Sequence, residues 1–164
     1  LPHIELVHDV TVGPIPLPDS CCDQLYTSHF LEHLPWRFLP QMLSDFHRLL
    51  KPGGTLEIHV PDLDKMSSLG WEELQLNLMG GQEHPHDAHL SAFKWAFLKD
   101  LCTQAGFTID TKTMASLGDY DLAGGFVKSV TYCVTCGHHT LVRTAPGLGQ
   151  YCPDCGKTHG GEEL

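Results

Sequence analysis

No stretch of this chain approaches the ~20 consecutive apolar residues that a membrane-spanning helix needs. No basic segment leading into an apolar core opens it either, so neither a spanning helix nor a secretory leader is expected. Positive charge is scarce. Ten Lys and Arg stand against twenty Asp and Glu, giving a formal net charge of -10. A duplex-binding face must displace counterions with positive charge, so nucleic acid is a poor expectation and a small or neutral substrate a better one. An even, dispersed cysteine set is also missing. The seven Cys include two C-x-x-C pairs and leave Cys21, Cys22 and Cys102 over. That distribution suits a metal site in a reducing cytoplasm better than a secreted disulfide framework.

What is present points to one ordinary domain with a small appendage. The 164 residues are 41% hydrophobic, enough to bury a core of that size. Ile4 to Val7 is a short, β-branched apolar run and reads as a buried strand ending at His8-Asp9. Pro14, Pro16 and Pro18 force an extended loop after it. Asp23 to Thr27 reads as a second strand. Leu39, Met42, Leu43, Phe46, Leu49 and Leu50 follow the i, i+3, i+4, i+7 stripe of an amphipathic helix. Pro40 is tolerable only in its first turn, and Lys51-Pro52-Gly53-Gly54 stops it. Thr55 to Val60 alternates apolar Leu56, Ile58 and Val60 with polar Thr55, Glu57 and His59, the pattern of a half-exposed strand. A helix over Trp71 to Met79, a His-rich loop from Gly80 to His89, a helix capped by Ser91 and running to Ala105, and a strand over Phe107 to Thr113 complete the domain. Alternating strands and helices imply a layered α/β fold. Gly124-Gly125 marks a junction, dividing the chain into 1–125 and 126–164.

The tail contains Cys133-Val134-Thr135-Cys136-Gly137 and Cys152-Pro153-Asp154-Cys155-Gly156, with fifteen residues between the pairs. This is the spacing of a four-thiolate zinc site. A two-residue gap lets both sulfurs of a pair reach one ion at ~2.3 Å, and the Gly after each second Cys permits a tight turn. Four thiolates close the coordination sphere, so Cys133, Cys136, Cys152 and Cys155 are expected to form a structural zinc ribbon. The ion would supply much of the stability of so small a unit.

Residues 9 to 62 carry a resemblance. Asp9 is followed by the proline loop and by Asp19-Ser20-Cys21-Cys22-Asp23-Gln24-Leu25-Tyr26-Thr27-Ser28-His29-Phe30-Leu31-Glu32-His33-Leu34. Arg48-Leu49-Leu50-Lys51-Pro52-Gly53-Gly54 then leads to Val60-Pro61-Asp62. This ordered set resembles class I SAM-dependent methyltransferases. Gly80-Gly81, His89-Leu90-Ser91 and Ala105-Gly106-Phe107 look like the substrate side of small bacterial members. The resemblance spans roughly residues 4–113. It implies a partial Rossmann-like methyltransferase sheet flanked by helices and a reaction that moves a methyl group from SAM to a small-molecule or sugar-type acceptor. It also implies that Asp9 and the adjoining Val10 meet the adenine, that Ser28 and His29 lie by the methionine part and the transferring methyl, and that His29 and His89 are the candidates for base or acceptor contact. Glu32 suits a helix start, where an acid complements the dipole. His33 reads as a packing residue, and His84 and His86 as part of a solvated loop. Cys22 reads as a buried small apolar residue, and Trp36, Trp71 and Trp95 as core or lid residues.

The resemblance also exposes one more lack. The family opens with a strand and a G-x-G turn that cradles the methionine and ribose, yet no G-x-G-x-G occurs here and the first residue is Leu1. The expectation is therefore a chain cut from a longer protein, or a sheet completed by self-association or a protein partner. A second functional reading follows: a catalytically degenerate methyltransferase-like module whose zinc ribbon docks a protein.

Overall fold

A computed structural model describes residues 6–84, 86–110 and 121–129, with the backbone of 142–143, 150–151 and 158–159. It divides into two compact units, Leu1–Lys128 and Ser129–Leu164.

The first unit is a mixed α/β fold around a four-stranded sheet. Strand β1 (Cys22–Ser28) pairs in parallel with β2 (Leu50–Pro61). Parallel neighbours need a crossover, and helix α1 (Leu39–Leu49) supplies it. Its stripe is buried as the periodicity requires: Leu39, Met42, Leu43, Phe46 and Leu49 all enter the core. Pro40 sits in the first turn, and His47 and Arg48 sit in the last, where basic groups complement the helix dipole. The proline loop is not left free. Arg48 donates from Nε to Asp45 Oδ1 at 2.7 Å and from its terminal nitrogens to the carbonyls of Ile15 and Leu17, each at 2.8 Å. Asp45 Oδ2 in turn accepts the Ile15 N–H at 2.8 Å. One helix-end ion pair thereby satisfies backbone groups that the prolines prevent from joining a ladder.

Helix α2 (Trp71–Met79) and helix α3 (Trp95–Gln104) follow. Helix α3 starts four residues after Ser91, which does not cap it; the Ser91 hydroxyl is buried and donates to the Leu34 carbonyl instead. Leu98, Leu101 and Cys102 form the buried face of α3. Strand β3 (Phe107–Ile109) and strand β4 (Asp121–Lys128) complete the sheet in the order β1-β2-β4-β3. Both β2–β4 and β3–β4 are antiparallel.

Three expectations change here. Leu6 and Val7 form no strand and are 41% and 90% exposed; among the described residues β1 pairs with β2 alone. Strand β2 keeps the expected alternation at Thr55 and Glu57, which are partly exposed, but not beyond them, where His59, Val60 and Pro61 are all buried. Gly124-Gly125 lies inside β4 and not between the two units. A Cβ at Gly124 would come within 2.8 Å of the Phe126 ring and 3.0 Å of the Trp95 ring. The glycine is there for close packing of the stacked Trp95–Phe126 pair, whose centroids are 6.0 Å apart.

The second unit contains β5 (Val142–Arg143), β6 (Gln150–Tyr151) and β7 (Thr158–His159), antiparallel in the order β5-β6-β7. Cys133, Cys136, Cys152 and Cys155 lie outside the described residues.

Candidate active site

In open α/β sheets, ligands bind beyond the carboxyl ends of the parallel strands. The first unit gathers its polar side chains there. Strand β1 ends at Ser28 and β2 at Pro61, and antiparallel pairing sets Asp121 of β4 opposite Pro61. Three strand ends therefore meet at one rim.

His29 is the first residue past β1. Its φ is +48°, a left-handed conformation uncommon outside glycine, and its N–H donates to the His59 carbonyl at 3.0 Å. This backbone kink turns a half-exposed imidazole toward two acids. Nδ1 lies 3.2 Å from Glu32 Oε1 and Nε2 lies 3.5 Å from Asp121 Oδ2. Glu32 belongs to a single 3-10 turn (Leu31–His33) and is 99% buried by side chain. Among the described residues its second oxygen has no hydrogen-bond partner.

His89 reaches the same rim from the other side. Gly80 ends α2 with φ +74°, and a Cβ there would collide with the Asp87 carbonyl. Glycine alone lets the loop fold back so that the His89 N–H meets the Met79 carbonyl at 3.0 Å. The Glu32 carbonyl then accepts the N–H groups of Leu90 and Ser91, at 2.6 and 3.0 Å. His33 and His89 stack edge to face with centroids 4.8 Å apart. His84 and His86 are exposed, in keeping with a solvated loop.

Asp9 and Val10 are placed differently. Asp9 is exposed and accepts the Thr11 hydroxyl at 2.7 Å and the Thr11 N–H at 2.9 Å. Those hydrogen bonds, the hydroxyl's first, hold its carboxyl below the usual carboxylate value. Val10 is partly buried against the core. It also lines a cavity of about 350 Å³ between the proline loop and α1, bounded by Pro14, Phe38, Met42, Asp45 and Arg48. That cavity does not include the strand-end rim. Ser28 is exposed and pairs in register with His59.

A family model described as a methyltransferase domain matches residues 12–112. The chain belongs to the methyltransferase domain family. Solved structures agree on the fold of this methyltransferase domain. A Pyrococcus horikoshii protein aligns with TM-score 0.56 and 15% identity over 76% of this chain and 58% of its own. A complex between the Haloferax volcanii Trm112 methyltransferase activator and a candidate methyltransferase aligns with TM-score 0.54 and 15% identity, covering 73% of this chain and 59% of that one. Human N-acetylserotonin methyltransferase in complex with SAM aligns with TM-score 0.52 and 18% identity over 70% of this chain and 31% of that one. This methyltransferase domain thus spans less than two thirds of each of those chains. No curated protein matches the sequence.

Sequence reasoning singled out His29 and His89 but missed Asp121, which sits in the unforeseen β4. It also treated Glu32 as a dipole partner and His59 as a solvent-side residue. His59 is buried, with Nε2 2.7 Å from Glu57 Oε1 and its ring edge-on to Tyr26. The i, i+2 spacing of Glu57 and His59 on a strand is the signal that they share a face. Of the three tryptophans expected in the core or a lid, Trp95 packs against the core, while Trp36 and Trp71 are exposed and lie outside it. Cys22 is half-buried, not enclosed.

Proposed function

We propose that this domain transfers a methyl group from SAM to a small-molecule or sugar-type acceptor. The match of residues 12–112 to the methyltransferase domain carries the reading. SAM in the human N-acetylserotonin methyltransferase structure supports the choice of donor. In the reaction the sulfonium–methyl bond breaks as a bond to an acceptor oxygen or nitrogen forms, and the acceptor's proton needs a base. Positioning supplies much of the rate, and a histidine titrates in the useful range. His29 is the proposed base. Its ring is half exposed at the strand-end rim, with Nδ1 held by Glu32; to act as base, Nε2 exchanges its 3.5 Å contact with Asp121 for the acceptor's proton. His89 is the proposed acceptor contact. Asp9, Val10, Ser28 and His29 are the proposed cofactor contacts. Cys133, Cys136, Cys152 and Cys155 are the proposed zinc ligands, and the short antiparallel β5–β7 sheet of the second unit is in keeping with a ribbon. No helix among the described residues is long and apolar enough to cross a membrane, and a cytoplasmic setting is proposed from the cysteine usage.

The second reading is a catalytically silent module that docks a protein through the ribbon. The position of β1 at the sheet's edge among the described residues favours it, since self-association or a partner could add a strand there. Isothermal titration with SAM and with its demethylated product separates the two. Binding by this chain, or by the chain joined to any residues that precede it, supports the enzyme. Silence from both forms overturns it.

A further inference from the structure

The proposed methyl transfer uses Glu32 to hold His29 and His89 to meet the acceptor, but it does not explain why Glu32, His33 and His89 lie together. One ligand atom from each lies within 4.8 Å of the others. The two rings are held in the same manner. His33 Nδ1–H donates to the Ala88 carbonyl at 3.2 Å, and His89 Nδ1–H donates to the Asn77 carbonyl at 2.9 Å. A carbonyl only accepts, so in the neutral form of each ring the proton sits on Nδ1 and Nε2 keeps a lone pair. This is the support that metal-ligating histidines receive: the far nitrogen tied to a backbone oxygen, the near one left basic. Glu32 adds an independent observation. Its side chain is 1% exposed, Oε1 is held by His29, and Oε2 has no partner among the described residues. A buried carboxylate oxygen left without a donor is costly. A cation offsets that cost; a packing role for the three side chains does not.

We propose that Glu32 Oε2, His33 Nε2 and His89 Nε2 bind a divalent transition-metal cation at the rim of the sheet. Two imidazoles and one carboxylate suit zinc, cobalt or iron, and not calcium or magnesium, which favour oxygen. Donors about 2.1 Å from one ion are at most about 4.2 Å apart, so binding draws the side chains together by a small rotation. The ligands stand on two segments already joined, since the Glu32 carbonyl accepts the N–H groups of Leu90 and Ser91. Three protein ligands leave coordination positions open. An oxygen-rich acceptor can fill them, with its hydroxyl held beside His29; this last step alone rests on the methyl-transfer reading.

The test is titration of the full chain with Co2+, followed in the visible spectrum. Cobalt on the tail thiolates shows sulfur-to-metal charge transfer, whereas cobalt on nitrogen and oxygen shows weak visible bands without it. We expect a sulfur-free set of bands at one equivalent. Glu32→Gln and His89→Ala should each weaken it about tenfold or more, with unfolding curves confirming that each variant is folded. His89 lies in a half-exposed loop, so its variant keeps the test available should the buried Glu32→Gln fail to fold. Absence of sulfur-free bands, or equal affinity in folded variants, overturns the proposal. SAM is absent from this titration, so failure here leaves the methyl-transfer reading standing, and failure to bind SAM leaves the metal site standing.

Discussion

Asp9 owes its properties to an immediate neighbour. It is exposed, and its two bonds from Thr11 form a local Asx turn. Those bonds lower its pKa from the ordinary value of 3.8. A carboxyl whose folded pKa is depressed adds stability that is present above the unfolded pKa and is lost as pH falls through the folded one. Thr11→Val removes the hydroxyl, the larger cause. The Asp9 carboxyl should then titrate closer to 3.8 in a carbon-detected NMR pH series; an unchanged midpoint would show that the hydroxyl bond does not form in solution. His29 and His89 were legible as candidates because their sequence neighbourhood is distinctive. Glu32 was not, because an acid at the start of a helical turn has an ordinary explanation. Only its burial and unpaired oxygen set it apart.

At the scale of elements, the amphipathic stripe of α1 was fully readable, since a helix carries its own period. Its stop was displaced: α1 ends at Leu49, and Lys51-Pro52-Gly53-Gly54 already belongs to β2, which starts at Leu50 to pair with β1. Strand β4 was not readable. Its sequence Asp121-Leu122-Ala123-Gly124-Gly125-Phe126-Val127-Lys128 has two glycines at the centre, which local propensity assigns to a turn. The strand exists because β2 and β3 pair with it on both sides and because Phe126 fills the core at 1% exposure. Phe126→Ala should therefore cost about 3–5 kcal/mol, visible as a lowered Tm by circular dichroism; a Tm within a degree or so of the parent would place Phe126 outside the core. Gly80 governs a different element. Gly80→Ala meets the Asp87 carbonyl and adopts a positive φ, a penalty of roughly 1 kcal/mol or more. The loop back to His89 should open, and faster amide exchange at His89, with α1 unaffected, is the expected result.

For the whole molecule, two compact units imply separable stability. If the four tail cysteines bind zinc, the ion supplies most of the folding energy of Ser129–Leu164 and little of Leu1–Lys128. Replacing Cys133 and Cys152 together with Ser should make the tail sensitive to limited proteolysis and remove a zinc equivalent by metal analysis. The main thermal transition should stay in place. A tail equally protected in the variant and in the presence of chelator would refute the ribbon.

The sequence by itself determined what depends on spacing along the chain: the β1–α1–β2 crossover, the ordered methyltransferase motifs, and the paired C-x-x-C of the tail. Periodicity, turn chemistry and ligand spacing are all short-range, so they survive without knowledge of the fold. Tertiary structure decided what depends on neighbours far apart in sequence. It turned two glycines into the tight centre of a buried strand and brought Asp121 beside His29. It also set His89 against Glu32 and His33, across more than fifty residues of chain. Pairing partners and burial create those properties, and neither is written in any local window of residues.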